Sequence, residues 1–404
     1  MIDRPSLLNW LLSWRDKDMI KVVTGIRRCG KSTLFELYQK KLLESGVKKE
    51  QIISINFEDN DFADLETWRD VWEYLKKRIN VKQKNYIFLD EVQRISEFEK
   101  LVDGLYVKKY SDVYITGSNA YMLSGELATF LSGRYVELRM QPLSFKEYVN
   151  GAGSAASIET LYRNYLRFSS FPYALTLEGN EKMTYDYLSG IYNTILMKDI
   201  LARKGYKDVA ILERVVRYLF DNIGNLTSIR KIKDTLVSSG CSISYNTVES
   251  YITALCETFL LYQVGRYDVK GREYLKTGAK YYVADIGLRY FLLGNKGADL
   301  GHILENIVYL ELIRRSRNVS VGKVDRQEVD FITQDGNTIC YYQVSLSVRD
   351  ENTLKRELAP LAAIRDSNPK YLLTLDQDPP ANYNGIQQIC VFDFLLENET
   401  SRMR

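Results

Sequence analysis

Through the first 142 residues the hydrophobic positions come as short apolar blocks separated by amphipathic stretches. Residues 20–24, 52–57, 85–89, 112–116 and 135–140 are apolar runs bounded by Gly, Asn, Asp or Pro, the mark of buried strands. Between them, the stretch after Lys31 and the segments at about 65–79 and 97–110 read as helices, with Gly46 stopping the first. Ahead of the first strand, Leu7, Leu8, Leu11, Leu12 and Trp14 recur at near-helical spacing behind Pro5, a favourable first-turn residue. Strands alternating with helices predict an α/β fold on a parallel sheet.

The pattern then changes. Residues 143–200 read as helical, with a Gly/Ala/Ser-rich loop at 150–157 and a break at Phe171-Pro172. From about 208 to 285 the order is helix, helix, turn, helix and paired strands. Ile229, Ile232, Leu236 and Val237 form one apolar face, Ser239-Gly240 a turn, and Val248, Tyr251, Ile252 and Leu255 a second face. This is helix-turn-helix spacing, and the stretch 260–283 reads as a β-hairpin wing. Beyond 300 the reading is a helix at 302–316, strands at about 319–324, 327–333 and 337–345, a helix at 351–366, and strands near 370–375 and 388–392.

The first strand stops at one glycine, and the chain restarts as a helix at another. Gly25-Ile26-Arg27-Arg28-Cys29-Gly30-Lys31-Ser32 has the spacing G-x-x-x-x-G-K-S of a P-loop, and Thr33 extends the helix start. The glycines let successive N–H groups point into one concavity that fits a phosphate chain, and the helix N-terminus adds positive potential. Lys31 is placed to reach the β- and γ-phosphates of ATP, and Ser32 to ligate Mg²⁺. A strand before and a helix after disfavour a chance glycine turn.

About sixty residues on, the apolar run Tyr86-Ile87-Phe88-Leu89 ends in Asp90-Glu91. In this context Asp90 is expected to hold Mg²⁺ through water and Glu91 to orient and polarise the attacking water. The strand at 112–116 ends in Ser118-Asn119, at the edge of a parallel sheet that faces the nucleotide. Either side chain could hold the lytic water or sense the γ-phosphate, and either could simply cap a helix. Arg134 lies just ahead of the fifth strand. The acidic turn from Glu58 to Asp64 carries four acids in seven residues, which would repel a phosphate backbone.

Composition narrows the chemistry. The chain has 404 residues, 45% hydrophobic and 26% charged, enough for two to four globular domains. No apolar run approaches the roughly 18 residues of a membrane helix, so a cytoplasmic protein with no membrane partner is expected. Five scattered cysteines and the single His302 exclude a C-x-x-C zinc site and a histidine-based triad. Cys29 stands apart, because a helix N-terminus beside the nucleotide could lower its pKa. The net charge of +3 is uneven, since residues 201–282 hold 13 Lys/Arg against 8 Asp/Glu, which hints at a polyanion there. In that segment Tyr245 and Asn246 at the second helix, with Arg266, Lys270, Arg272 and Lys276 on the hairpin, are candidate DNA contacts.

The order of P-loop, Asp-Glu strand end, polar strand tip and arginine ahead of the fifth strand resembles the AAA+ superfamily. More closely, the GIRRCGKST, FLDEVQR, ITGSN and SGR…PLSFKEY segments resemble a family of prokaryotic AAA+ ATPases. Its members join that module to a winged helix and a C-terminal restriction-nuclease-like domain. The resemblance implies an ATPase core at 1–142, a helical lid at 143–205, a winged-helix domain at 206–298 and a nuclease-like α/β domain at 299–404. It implies Arg134 as a finger inserted into a neighbouring subunit's site, hence a homo-oligomer such as a hexamer-like ring, and DNA as partner. It also implies Glu305, Asp330 and Gln343 as remnants of a nuclease metal site, with Ser345 where that family carries a lysine. A serine brings no charge to stabilise a pentavalent phosphate, so a degenerate domain is expected. The expected function is a Mg²⁺-dependent ATPase coupled to DNA binding or remodelling. The alternatives are an ATP-operated protein-interaction switch and an ATP-gated nuclease.

Overall fold

A computed structural model describes residues 2–120, 131, 133–153, 155–202, 208–294 and 299–397. The chain divides into two compact units, the first at 1–142 with 257–259 and the second at 143–256 with 260–404.

The first unit begins with helix α1 (Pro5–Ser13) and strand β1 (Ile20–Gly25). Helix α2 (Lys31–Glu44), β2 (Ile52–Asn56), α3 (Trp68–Lys76), β3 (Asn85–Asp90), α4 (Phe98–Val107), β4 (Ser111–Gly117) and β5 (Tyr135–Met140) follow. The five strands pair in parallel in the order β2-β3-β4-β1-β5. Such a sheet needs apolar side chains on both faces, and all six residues of β1 and of β3 are buried. One face sets Ile20, Val22, Ile53, Ile55, Ile87, Leu89, Val113 and Ile115 against Val71 and Leu75 of α3 and Leu101, Val102 and Leu105 of α4. The other carries Phe88 and Tyr114, stacked at 4.7 Å, beneath Phe35 and Tyr38 of α2. Parallel pairing places the C-terminal ends of β1, β3 and β4 on one edge, the edge at which open parallel sheets take their ligands.

At the opposite edge, Lys21 is fully buried and donates to the Asp112 carboxylate and, at 2.8 Å, to the Lys17 carbonyl. Asp112 also accepts from the Asp16 amide at 2.9 Å and the Tyr114 hydroxyl at 2.8 Å. Asp112→Ala would leave an uncompensated ammonium in the core, a loss of about 3–5 kcal/mol read from the denaturation midpoint. A shift no larger than that of an exposed surface substitution would show that Lys21 finds another partner.

The second unit begins with helices α5 (Phe145–Ala152), α6 (Ile158–Arg167) and α7 (Glu181–Thr194), the last running on as a π-helix over Ile195–Ala202. Helices α8 (Val209–Asp221), α9 (Ile229–Ser238) and α10 (Tyr245–Glu257) lead to the hairpin β6 (Leu261–Asp268) and β7 (Glu273–Val283). Then come α11 (Ile286–Leu293), α12 (Leu300–Arg315), β8 (Val319–Val324), β9 (Gln327–Asp335), β10 (Thr338–Ser345), α13 (Glu351–Ala362), β11 (Lys370–Thr374), β12 (Ala381–Tyr383), β13 (Ile386–Cys390) and α14 (Val391–Leu396). Among the described residues no helix is long and apolar enough to cross a membrane.

Two expectations are corrected here. The hairpin is no free wing: it is the edge of an eight-stranded sheet ordered β12-β13-β11-β10-β9-β8-β6-β7, with Arg266, Tyr267 and Asp268 parallel to Val321, Gly322 and Lys323. The apolar half of the hairpin drives this, because Tyr282 stacks on Tyr309 of α12 at 4.5 Å and touches Phe331 of β9. A boundary at 298/299 therefore cuts one sheet. Likewise residues 143–202 group with the second unit rather than with the P-loop sheet. Buried Asp285, which caps α11 through the Leu288 amide at 2.8 Å, also accepts from the Ser170 amide and hydroxyl at 2.7 and 2.6 Å.

Candidate functional site

The loop between β1 and α2 depends on its two glycines. A Cβ on Gly25 would fall 2.0 Å from the Met140 carbonyl oxygen on β5, so only glycine lets the strands end so close together. Gly30 has φ 100° and caps α2 without any side-chain bond, leaving the first helical N–H groups for a ligand. Arg28 is also left-handed, with φ 64°, a non-glycine strain often found where a loop grips a ligand. Ile26 and Cys29 are buried, Arg28 and Ser32 exposed, and Arg27 and Thr33 half-buried.

Arg4 holds this loop from below. Its guanidinium is buried and donates to the carbonyls of Cys29 at 3.1 Å, Gln141 at 3.0 Å and Pro142 at 3.3 Å. Cys29 reverses expectation, since burial raises its pKa more than Lys31 and Arg4 lower it.

Lys31 donates to the carbonyls of Gly25 at 3.1 Å and Ile26 at 3.4 Å, and its ammonium lies 3.4 Å from Glu91 Oε1. Glu91 sits beyond β3 with φ 55°. Its amide donates to the Thr116 hydroxyl at 2.8 Å, and that hydroxyl donates to the Asp90 carboxylate. Ser32 also hydrogen-bonds Asp90. Gln93 Nε2 donates to Glu91 Oε2 at 2.5 Å, and Ser118 hydrogen-bonds the same carboxylate. Gln93 Oε1 is buried with no hydrogen-bond partner among the described residues. Asn119 is buried at the same strand tip.

The two adjacent carboxyls are pushed apart. Burial raises Asp90 above its ordinary range, more than its bonds from Ser32 and Thr116 hold it down. Burial penalises the Glu91 charge as well, but Lys31, Gln93, Arg27 and Ser118 outweigh it and keep that carboxyl below its ordinary range. Environments that separate two neighbouring acids are typical of sites that assign them different tasks. The hydroxyl of Ser32 and the carboxylate of Asp90, hard oxygen donors in mutual contact, fit Mg²⁺.

The arginines fall in two places. Arg27 and Arg94 both reach Glu58 of the acidic turn, at 3.4 and 2.9 Å. Arg134 lies at the other end of the sheet, ahead of β5, where it pairs with Asp103 of α4 and lies 5.5 Å from the Tyr106 ring centroid. It is not brought to its own chain's P-loop.

In the second unit Tyr245 and Asn246 are exposed at the start of α10, and Arg272 at the hairpin turn. Arg266 is half-buried on β6, Lys270 pairs with Asp325 at 2.5 Å, and the side chain of Lys276 lies outside the described residues. Part of the basic surplus is thus answered by an acid on the β8–β9 turn. Glu305 of α12 and Asp330 of β9 do meet, and between them lies the ammonium of Lys280 from β7. Gln343 donates to Glu357 at 2.9 Å, and Ser345 donates to the Ser347 carbonyl at 3.2 Å.

Arg4, Gln93 and Thr116 were not singled out from the sequence as parts of these sites, and Lys280 stood there only among the basic residues of the hairpin. Thr116 and Gln93 were within reach, as they lie two residues from Ser118 and Glu91. Arg4 and Lys280 act across chain separations that carry no local pattern.

The AAA domain family matches residues 17–149, and a domain of unknown function (DUF8612) matches residues 159–299. An uncharacterized protein of Haemophilus influenzae is 39% identical over 98% of this chain and 99% of its own length. One from Methanocaldococcus jannaschii is 29% identical over 80% of this chain and 74% of its own length. Among solved structures, a Walker-type ATPase of Pyrococcus abyssi has a similar fold, with a TM-score of 0.52 at 15% identity, covering 72% of this chain and 96% of that one. With residues 17–149 matched as an AAA domain and 98% of its length matched by the Haemophilus influenzae protein, the chain belongs to the same family as that protein and carries an AAA domain in its N-terminal unit.

Proposed function

We propose that the chain hydrolyses ATP and uses the cycle to act on DNA as a homo-oligomer. The observation that carries the first half is the meeting of the P-loop ammonium with the carboxylate beyond β3, Lys31 to Glu91 at 3.4 Å. Backbone N–H groups of residues 26–33 and the α2 N-terminus receive the phosphates, and Lys31 turns from Gly25 and Ile26 to the β- and γ-oxygens. Ser32 and Asp90 would hold Mg²⁺, which would supply positive charge against the phosphates. Glu91, kept ionised, accepts a hydrogen bond from the attacking water and aims it, while Gln93 and Ser118 fix the carboxylate. Thr116 ties Asp90 to the Glu91 backbone and so keeps the two acids in register.

Arg134 supports the oligomer. Its site lies on the sheet edge away from the P-loop, so it serves a neighbour's nucleotide rather than its own. Its ion pair with Asp103 is about half exposed, and such pairs are worth about 0–1 kcal/mol, so releasing the guanidinium costs little. Arg134→Ala is expected to lower turnover by about 10³-fold or more, the scale of an arginine finger. Mixing it with Lys31→Ala subunits should restore part of the activity, because the second subunit lends its arginine to the first. Parent-like turnover by Arg134→Ala alone would remove the role.

The DNA half rests on the basic surplus of residues 201–282 and on exposed Tyr245, Asn246 and Arg272. Phosphate release from Mg²⁺-ATP, measured with and without duplex DNA across a salt series, tests both halves. Hydrolysis that rises with duplex and loses that rise as salt increases is the expected result. Hydrolysis indifferent to DNA at every salt concentration leaves an ATP-operated protein switch, and no hydrolysis removes the proposal.

A further inference from the structure

The second unit contains a charged cluster that ATP hydrolysis does not use. Lys280 lies on β7, on the same strand face as Tyr282, and is 3% exposed. Its ammonium is 2.8 Å from Glu305 Oε1, 2.7 Å from Glu328 Oε1 and 3.7 Å from Asp330 Oδ1. One buried cation thus stands among three carboxylates, and those carboxylates hold its pKa above the ordinary lysine range against the opposing effect of burial.

A restriction-nuclease fold would hold a divalent metal with Glu305, Asp330 and Gln343. The donors present do not suit one. Glu305 Oε1 also accepts from the Tyr282 hydroxyl at 2.5 Å, and Oε2 faces His302 Nδ1 at 3.6 Å. Asp330 Oδ2 accepts the Val344 amide at 2.8 Å. The Gln343 side-chain oxygen is turned to the Asp330 amide at 3.4 Å, and its nitrogen to Glu357. Among the described residues no group of three or more His, Cys, Asp or Glu is arranged to hold a metal ion. A divalent ion brought to these carboxylates would also meet the ammonium, charge against charge.

We infer that Lys280 is the resident cation of this site, standing where a nuclease fold carries its metal, so that this part of the chain binds no divalent metal and cuts no DNA. The ammonium places a positive charge 2.8 Å from Glu305 Oε1, 2.7 Å from Glu328 Oε1 and 3.7 Å from Asp330 Oδ1, the position a metal ion would otherwise share with them. Removing that one group leaves Glu305 Oε1, Glu328 Oε1 and Asp330 Oδ1, the oxygens that face the ammonium, without their cation, and hard oxygen donors so exposed would draw Mn²⁺ or Mg²⁺ into its place. The inference does not depend on the ATPase reading and would survive its failure.

The test is Mn²⁺ binding by the full-length chain without nucleotide, followed by the electron paramagnetic resonance signal of free Mn²⁺. All proteins carry Asp90→Asn, so that the carboxylate of the P-loop site contributes nothing. The chain with Lys280 intact should take up no Mn²⁺ that a further Asp330→Asn removes. Lys280→Ala should bind Mn²⁺ at least about 10-fold more tightly, and Lys280→Ala with Asp330→Asn should lose that gain. Lys280→Met, which preserves more of the packed volume, serves if the alanine variant fails to fold by circular dichroism. Mn²⁺ uptake by the Lys280 chain that Asp330→Asn abolishes would overturn the inference. So would Mg²⁺-dependent nicking of DNA lost with Asp330→Asn, or a folded Lys280 variant that gains no metal.

Discussion

Glu91→Gln is expected to keep nucleotide binding and to lower ATP turnover by about 10²–10⁴-fold, the usual contribution of a positioned general base. The amide has the shape of the carboxylate but cannot accept a proton from water. Affinity should hold or rise, because Lys31 loses the counter-ion 3.4 Å away and is freer to meet phosphate. Saturating-ATP phosphate release and equilibrium binding of a fluorescent nucleotide separate the two effects. Turnover equal to the parent would remove Glu91 from the chemistry. The sign of the pKa shift adds a second readout. Glu91 is held below its ordinary range, so its own protonation should not appear in the acid limb of kcat/KM, which instead follows Asp90, the carboxyl that burial raises.

Lys31→Ala should weaken ATP binding by at least about 100-fold, since each charge-assisted hydrogen bond to phosphate is worth about 1.5–3 kcal/mol and Lys31 is placed to make more than one. The loss is not confined to the ligand. Lys31 is the foremost of the groups that offset burial at Glu91, so its removal raises the pKa of that carboxyl. Binding and catalysis should therefore fail together. Isothermal titration with ATP provides the check, and affinity close to that of the parent would show that the backbone cradle alone carries recognition.

What could be read from the residues was what is local. The P-loop is eight consecutive positions, and Asp90-Glu91 ends an apolar run, so each announces itself within a few residues. Strand β5 at 135–140 and strand β8 at 319–324 matched to the residue, because both are bounded by strong breaks. The hairpin was harder. Its two strands and basic turn are a local pattern, whereas its attachment to β8 joins Arg266 to Val321 across more than fifty residues. Lys280 shows the same limit in chemistry. A lysine was sought two residues after Gln343, where Ser345 stands, but the positive charge arrives from a strand sixty positions earlier. Cys29 failed for a different reason, since proximity to a helix N-terminus is visible in sequence and full burial is not. Helix α14 and the short β12 were not anticipated at all.

The contact between Lys31 and Glu91 also sets an order of events. The Lys31 ammonium, proposed for the phosphates, and the Glu91 carboxylate, proposed for the water, lie 3.4 Å apart and offset each other's charge. If Lys31 turns to a phosphate chain as proposed, the Glu91 carboxylate loses this partner and is left to the attacking water. On the proposed mechanism the pair would act as an electrostatic interlock, in which arrival of the nucleotide arms the group that acts on it.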